Sequence, residues 1–160
     1  MKKILFILAI MLLIFNLNIK AQSIIISGEG INSFTLTKGN FADMKQVVIM
    51  AKGHDEKVHR YSGVTMADIL TKAGVTLGDE AKRKTVSSYI VVTAADNYKA
   101  IYTLAEIDPL FANRSIILAD REDKKILPVA NGPFQIIVPG EKKHGRWIRQ
   151  VTAIQVVQVK

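Results

Sequence analysis

The sequence has 160 residues, which is enough for one domain of ordinary size and too short for two. It carries a formal net charge of +8 and contains no cysteine, which excludes disulfides, thiol nucleophiles, iron–sulfur clusters and cysteine zinc sites. The positive charges do not form a block interleaved with aromatic residues, so we expect no nucleic-acid binding.

The first 21 residues have the pattern of a cleaved secretory signal peptide. Met1 to Lys3 is positively charged, Ile4 to Phe15 is continuously apolar, and Asn16 to Ala21 is a polar exit ending in a small residue. The apolar run is shorter than the ~20 residues that a membrane-spanning helix needs. We therefore expect residues 1–21 to be removed and the mature protein to be periplasmic or secreted, without a membrane span. An uncleaved anchor is the alternative.

Cleavage would also change the charge of the protein. Lys2, Lys3 and Lys20 would leave with the signal, so 19 Lys and Arg residues would face 14 Asp and Glu, a formal charge of +5. No linker rich in proline, glycine or serine divides residues 22–160, which predicts a single domain over that range.

Short runs rich in β-branched residues predict the strands of this domain. They are Ser23–Ser27, Phe34–Thr37, Gln46–Met50, Tyr89–Ala94, Tyr98–Tyr102, Ser115–Ala119, Phe134–Val138 and Val151–Val159. The last run alternates partly between apolar and polar residues, as expected for a strand with one wetter face.

One helix is strongly indicated among these runs. Thr65 has the character of an N-cap, apolar residues from Met66 to Ala73 share one face, and Gly74 is the expected left-handed terminator. Shorter helical turns are predicted at Asn40–Met44 and Leu104–Ile107, and chain reversals at Asp96-Asn97 and Arg121–Lys125. Many strands, few helices and no regular strand–helix alternation predict an α+β fold.

The loop between the last two predicted strands, Pro139 to Arg149, is the most informative segment for function. We call it the basic loop, because it carries four fixed positive charges, a histidine and the only tryptophan: Lys142, Lys143, His144, Arg146, Trp147 and Arg149. Guanidinium groups bind phosphate or carboxylate, and an indole face stacks on flat rings, so the loop would suit a flat anionic ligand. A solvated hairpin end whose tryptophan packs on the sheet edge is the alternative.

A second cluster contains side chains of metal-ligating types, namely His54, Asp55, Glu56 and His59. Imidazole and carboxylate would suit zinc or copper, but the spacing matches no structural zinc pattern. An exposed turn is the alternative, and the sequence does not decide whether His54 and His59 bind metal. Sequence motifs of serine hydrolases, zinc proteases, P-loops and dinucleotide-binding folds do not occur.

Several short motifs occur in an order that is more telling than any of them alone. They are Tyr61–Val64 with the helix that follows, Val91–Tyr98, Ala105–Pro109, Ile117–Asp120, Leu127-Pro128, Asn131–Gly140 and Arg146–Val151. This order, over roughly residues 46 to 159, resembles the oxidoreductase molybdopterin-binding domain of the sulfite oxidase superfamily. The resemblance implies a sulfite-oxidase-type fold of mixed, mainly antiparallel sheets with few short helices. It also implies molybdenum held by a pterin dithiolene and one cysteine thiolate.

The sequence departs from the pattern of that family at several positions. It has no cysteine, so the metal-ligating role passes to no residue. Gln135 stands where the family often has arginine, and Trp147 stands where it has a small polar residue, in space that the pterin would need. Arg149 keeps a positive charge where the family has lysine, and the chain lacks length in front of residue 46.

These departures favour a non-catalytic binding module for a small anionic or pterin-like ligand, or for a periplasmic redox or other protein partner. The binding residues would be those of the basic loop (Lys142, Lys143, His144, Arg146, Trp147 and Arg149), with the cations as anion donors and Trp147 as the stacking face. No catalytic or metal-ligating residue is assigned, and molybdopterin is the one cofactor implied. A divergent periplasmic molybdopterin-dependent oxidoreductase is the alternative. A third hypothesis is an interaction domain whose strand Val151–Val159 pairs with another chain by edge addition.

Overall fold

A computed structural model of the protein describes residues 23–159, and the predicted signal peptide lies outside this range. The strands are β1 (Ile24–Gly28), β2 (Phe34–Leu36), β3 (Val47–Lys52), β4 (Val58–Thr65), β5 (Ser88–Ala94), β6 (Lys99–Thr103), β7 (Ile117–Glu122), β8 (Lys125–Ile126), β9 (Gln135–Ile137) and β10 (Val151–Gln158). The helices are α1 (Lys38–Ala42), α2 (Met66–Lys72), α3 (Lys82–Val86) and α4 (Leu104–Ile107), with 3₁₀ turns at Asp79–Ala81 and His144–Arg146. None of the helices described is both long and apolar enough to cross a bilayer.

The strands form two sheets of mostly antiparallel pairs. The first sheet has the order β2-β1-β10-β5-β6, in which only the β1–β10 pair is parallel. The second has the order β3-β4-β7-β8, and β9 also pairs with β7. The predicted α+β fold with mixed, mainly antiparallel sheets and few short helices is confirmed.

Strand β10 lies inside the first sheet rather than at its edge. It pairs with β1 on one side and with β5 on the other, over seven residue pairs with β5. Both of its backbone edges are therefore used within the chain. The hypothesis that Val151–Val159 pairs with another chain by edge addition is wrong for this reason.

The sheets and helix α2 enclose one hydrophobic core. Alternate residues of β5, such as Ile90 and Val92, are fully buried, whereas their neighbours are half-exposed. The α2 residues Met66, Ile69 and Leu70 are also fully buried. Period-2 burial in the strand and one buried face on the helix are the patterns that the sequence predicted.

Local signals fix the helix ends as expected. Thr65 Oγ1 accepts a hydrogen bond from the backbone N–H of Asp68 at 3.0 Å, and Gly74 has φ +93° after the last turn of α2. Thr103 caps α4 in the same way and forms a reciprocal capping box with Glu106.

Strand β4 was not predicted, although it pairs with both β3 and β7. Its sequence is polar along much of its length and contains Gly63, which weakens the strand signal. The glycine is required by the fold, because a Cβ at Gly63 would lie 2.0 Å from the carbonyl oxygen of Leu118. Helix α3 was also missed.

Candidate functional site

A cleft with two adjoining lobes lies along the basic loop. The first lobe has a volume of about 480 Å³ and is walled by the β5–β6 hairpin, including Asp96 and Tyr98, and by the end of the basic loop. The second has a volume of about 220 Å³ and is lined by residues that include Asp55, Tyr61, Glu122 and Gln135. Three residues line both lobes: His54, Trp147 and Arg149. Clefts of this size hold small organic ligands.

The 3₁₀ turn of the basic loop, His144–Arg146, is held in place by two tyrosines from the β5–β6 hairpin. The Tyr98 hydroxyl donates to the carbonyl oxygen of Gly145 at 3.0 Å, and the Tyr102 hydroxyl donates to that of Arg146. Burial raises the pKa of Tyr102 well above its ordinary value, so its hydroxyl stays protonated and remains a donor. The 3₁₀ turn His144–Arg146 is thereby anchored beside the first lobe.

Arg149 presents the free cation of the cleft. Its side chain is exposed, lines both lobes and forms no ion pair with any carboxylate of residues 23–159. Lys142 and Lys143 are also exposed, but they line neither lobe. Of the cations predicted to bind an anion, the structure brings only Arg149 to the cleft wall.

Arg146 has a different role from the one that the sequence predicted. Its guanidinium pairs with Glu106 at 2.8 Å and 3.0 Å, and its Nε donates to Glu141 at 2.8 Å. It also lies over the ring of Tyr102, 5.0 Å from the centroid. Because its donors are directed at two carboxylates, Arg146 fastens the basic loop to α4 and does not present its guanidinium to the cleft.

Trp147 forms part of the wall between the lobes and is only 5% exposed. Its indole Nε1 donates to the carbonyl oxygen of Val138 at 3.1 Å, and its ring contacts His144 and Tyr61 edge to face. Sequence reasoning expected an open stacking face. The structure instead packs the tryptophan, which agrees better with the alternative that it covers the sheet.

His54 is the exposed ring of the cleft. It lies 4.5 Å from the ring of His144, which in turn lies 4.4 Å from that of Trp147. The Nε2 of His144 donates to the carbonyl oxygen of Lys52 at 2.8 Å, which holds this cluster of rings against the end of β3. Burial, together with the neighbouring His144 and Arg149, lowers the pKa of His54. Both the burial of this ring and its neighbours therefore favour the neutral form of His54.

Both ring nitrogens of His59 are hydrogen-bonded to carboxylates. Its Nδ1 bonds Asp123 at 2.8 Å and its Nε2 bonds Asp55 at 2.9 Å, which ties the β3–β4 turn to the β7–β8 turn. Hydrogen bonds with Asp123 and Asp55 raise the pKa of His59 to about 9. Over the range 23–159, no group of three or more histidine, aspartate or glutamate side chains is placed to hold a metal ion.

Sequence reasoning did not assign Gln135 and Asn131 to the site, yet both line the second lobe. Gln135 was noted only as a departure from a family pattern. The signal that could have found them is their position in one segment, Asn131 to Gln135, which leads into β9 next to the end of the basic loop. Backbone bonds such as Gln150 N–H to Asn131 O, at 3.0 Å, join the two segments.

Comparison with known proteins agrees with this fold. Residues 24–160 match the sequence profile of the oxidoreductase molybdopterin binding domain. The structure is similar to the sulfane dehydrogenase SoxCD from Paracoccus pantotrophus, with a TM-score of 0.66 and 14% sequence identity. The similarity covers 84% of this chain but 37% of that one, so this chain spans little more than a third of its length. No curated protein matches the sequence. The chain belongs to the oxidoreductase molybdopterin-binding domain family, as the order of its motifs predicted.

Proposed function

We propose that the protein is an exported, non-catalytic binding module that holds a small, flat anionic ligand in the two-lobed cleft, with Arg149 as the anion contact. The observation that carries this proposal is the position of the Arg149 guanidinium. It lines both lobes and is unpaired within residues 23–159, next to the rings of His54 and Trp147. A guanidinium without a carboxylate partner is a strong donor for a carboxylate or phosphate. Export rests on the signal-peptide pattern alone.

Molybdopterin, the cofactor that the family name implies, meets the donors of this cleft only in part. A cation beside a wall of rings suits the phosphate and the flat pterin of such a molecule. Protein ligands for the metal are missing, because the chain has no cysteine and no metal-ligating cluster occurs among residues 23–159. The residues present therefore fit an anionic, ring-bearing organic molecule and do not fit molybdenum held by a protein thiolate.

The electrostatics of the cleft provide a direct reporter of anion binding. The pKa of His54 is lowered partly by the charge of Arg149. An anion bound to Arg149 would offset that charge and favour the imidazolium form of His54. We expect the pKa of His54, followed by proton NMR, to rise when the ligand binds and to stay unchanged if the ligand binds elsewhere.

The proposal is tested by calorimetric titration with pterin-6-carboxylate and 2-naphthoate, two flat bicyclic carboxylates. Arg149→Ala should weaken the binding of both probes by at least about tenfold, the effect of losing a charge-assisted hydrogen bond. Arg83→Ala, which removes another exposed arginine on α3, is the matched control and should change neither affinity. Absence of binding of both probes, or equal binding to wild type and Arg149→Ala, would overturn the proposal.

Elemental analysis addresses the oxidoreductase alternative. Protein purified from its native export route should carry no stoichiometric molybdenum if the module is non-catalytic. Stoichiometric molybdenum with a bound pterin would favour a divergent molybdopterin-dependent oxidoreductase instead.

A further inference from the structure

The second lobe is lined by an amide that has no hydrogen-bond partner in the described range 23–159. Gln135 is only 3% exposed as a residue, lines this lobe, and its side chain forms no hydrogen bond with any other described residue. Its amide atoms are not among the fully enclosed unpaired side-chain atoms of that range, which are Thr85 Oγ1 and Glu141 Oε2, so they are open to the lobe. An amide at the wall of a cleft, free of protein partners, is suited to pair with a ligand.

The backbone at Gln135 is held firmly by the fold. Gln135 opens β9 in register with Ala119 of β7, and its neighbours Phe134 and Ile136 are both buried. Those neighbours are also fixed by the backbone: Ile136 N–H donates to Ile148 O at 2.8 Å, and Phe134 O accepts from Val151 N–H at 3.1 Å. The amide is therefore positioned by the same backbone that carries the end of the basic loop.

Apart from Arg149, the charged side chains of this lobe do not favour an anion. Asp55 and Glu122 line it, and both are paired: Asp55 with His59, and Glu122 with the Tyr61 hydroxyl at 2.9 Å. With His59 as the one imidazolium among them, these three groups carry a net negative charge. Gln135 is uncharged and offers one acceptor oxygen and two N–H donors.

We infer that the second lobe is a subsite for an uncharged amide or lactam edge, which Gln135 recognises through one donated and one accepted hydrogen bond. The inference rests on the proposed function, because the anionic end of the same ligand would contact Arg149 where the two lobes meet. Asn131, whose side chain also lines the lobe without a hydrogen bond to another described residue, adds a second uncharged donor and acceptor. The lobe therefore selects the neutral edge of the ligand, while Arg149 selects its charge.

The two bicyclic probes separate these roles. Pterin-6-carboxylate has a lactam edge, whereas 2-naphthoate has the same two-ring outline and a carboxylate but no such edge. Wild-type protein should bind the pterin at least about tenfold more tightly than the naphthoate. Gln135→Met, which keeps the length of the side chain and removes its polarity, should abolish this preference and leave the naphthoate affinity unchanged. Gln155→Met replaces an exposed glutamine on β10 and should preserve the preference.

A second readout shows whether Gln135 instead has a structural role. Removing an amide that has no protein partner should leave the melting temperature of the ligand-free protein unchanged or raised, because no hydrogen bond within the protein is lost. A ligand-side test needs no variant: methylation of the pterin at N3 blocks the lactam donor and should weaken binding to wild type by a similar factor.

The inference is overturned if Gln135→Met weakens both probes equally, if it keeps the preference for the pterin, or if N3 methylation has no effect. Failure of the proposed function itself would give different results. Neither probe would bind, or Arg149→Ala would bind both as tightly as wild type, and the proposed subsite would then be wrong together with the binding module.

Discussion

Two arginines of the basic loop, three positions apart, should differ in how much stability the protein loses when each is truncated. Arg146 is paired with Glu106 and Glu141, whose side chains are only 17% and 14% exposed. Arg146→Ala would leave Glu141 without its ion-pair partner, in addition to the Glu141 Oε2 atom, which is already buried without a hydrogen bond. Breaking a fully buried pair costs about 3–5 kcal/mol. Because Arg146 itself is 32% exposed, solvent screening reduces our expectation to about 2–3 kcal/mol of unfolding free energy.

Arg149→Ala is the matched control for this prediction, since Arg149 is exposed and unpaired within residues 23–159. It should change the free energy of unfolding by less than about 0.5 kcal/mol. Urea denaturation followed by the fluorescence of Trp147 measures both values, and a double-mutant cycle with Glu106→Gln isolates the ion pair. In thermal melts, Arg146→Ala should lower the melting temperature by about 6–12 °C. Equal stability of the two variants would refute the assignment of Arg146 to the loop anchor.

The pH dependence of this anchor has a definite sign. Burial alone would raise the pKa of Glu106, but hydrogen bonds from Arg146, the Thr103 backbone and Arg114 outweigh it, and the pKa lies below its ordinary value. The stabilisation from Glu106 is therefore present above about pH 4.3, the ordinary glutamate pKa, and is lost as the pH falls through the lower folded-state pKa. Wild type should lose more stability than Arg146→Ala in this acid range.

Two further predictions concern the supports of the cleft. The pKa of His59 is raised to about 9 by Asp123 and Asp55, so its stabilisation is complete below about pH 6.5 and is lost as the pH rises through 9. Urea titrations from pH 6 to 10 should show this decline in wild type and a smaller one in His59→Gln; parallel curves would contradict the pairing. Gly63→Ala should cost more than about 3 kcal/mol or prevent folding, because its Cβ would meet Leu118 O at 2.0 Å. Gly39→Ala, whose Cβ has room, should fold normally by circular dichroism.

Local sequence signals predicted much of the fold, because the features concerned depend on neighbours in the chain. The capped helix after Thr65, the turn at Asp96-Asn97 and the alternation of β5 each follow from a few adjacent residues. The observed bounds differ from the predicted ones by one or two residues for most strands. Strand β4 was not predicted, because its sequence is largely polar and it is stabilised by pairing with β3 and β7, which depends on the tertiary fold.

The sequence of the basic loop does not show which of its arginines is structural and which faces the cleft. Arg146 and Arg149 are chemically identical, and what distinguishes them is Glu106, which lies 40 residues earlier on α4. In the same way, Trp147 is packed rather than open because the carbonyl oxygen of Val138 and the ring of Tyr61 are brought to it by the fold. Clustering in sequence indicated the correct region, but only the tertiary partners show which cation is structural and which faces the cleft.

The family assignment and the chemistry of the cleft together constrain what this protein can bind. A fold of the oxidoreductase molybdopterin-binding domain type provides the position of the cleft, but not its ligand, because the side chains at the wall determine the chemistry. Here that wall offers one free guanidinium, two neighbouring imidazoles and an unpartnered amide, and no thiolate. A guanidinium recognises negative charge, and an amide recognises the hydrogen-bonding edge of an organic molecule. We therefore expect a ligand that the protein holds through its charged and hydrogen-bonding organic groups.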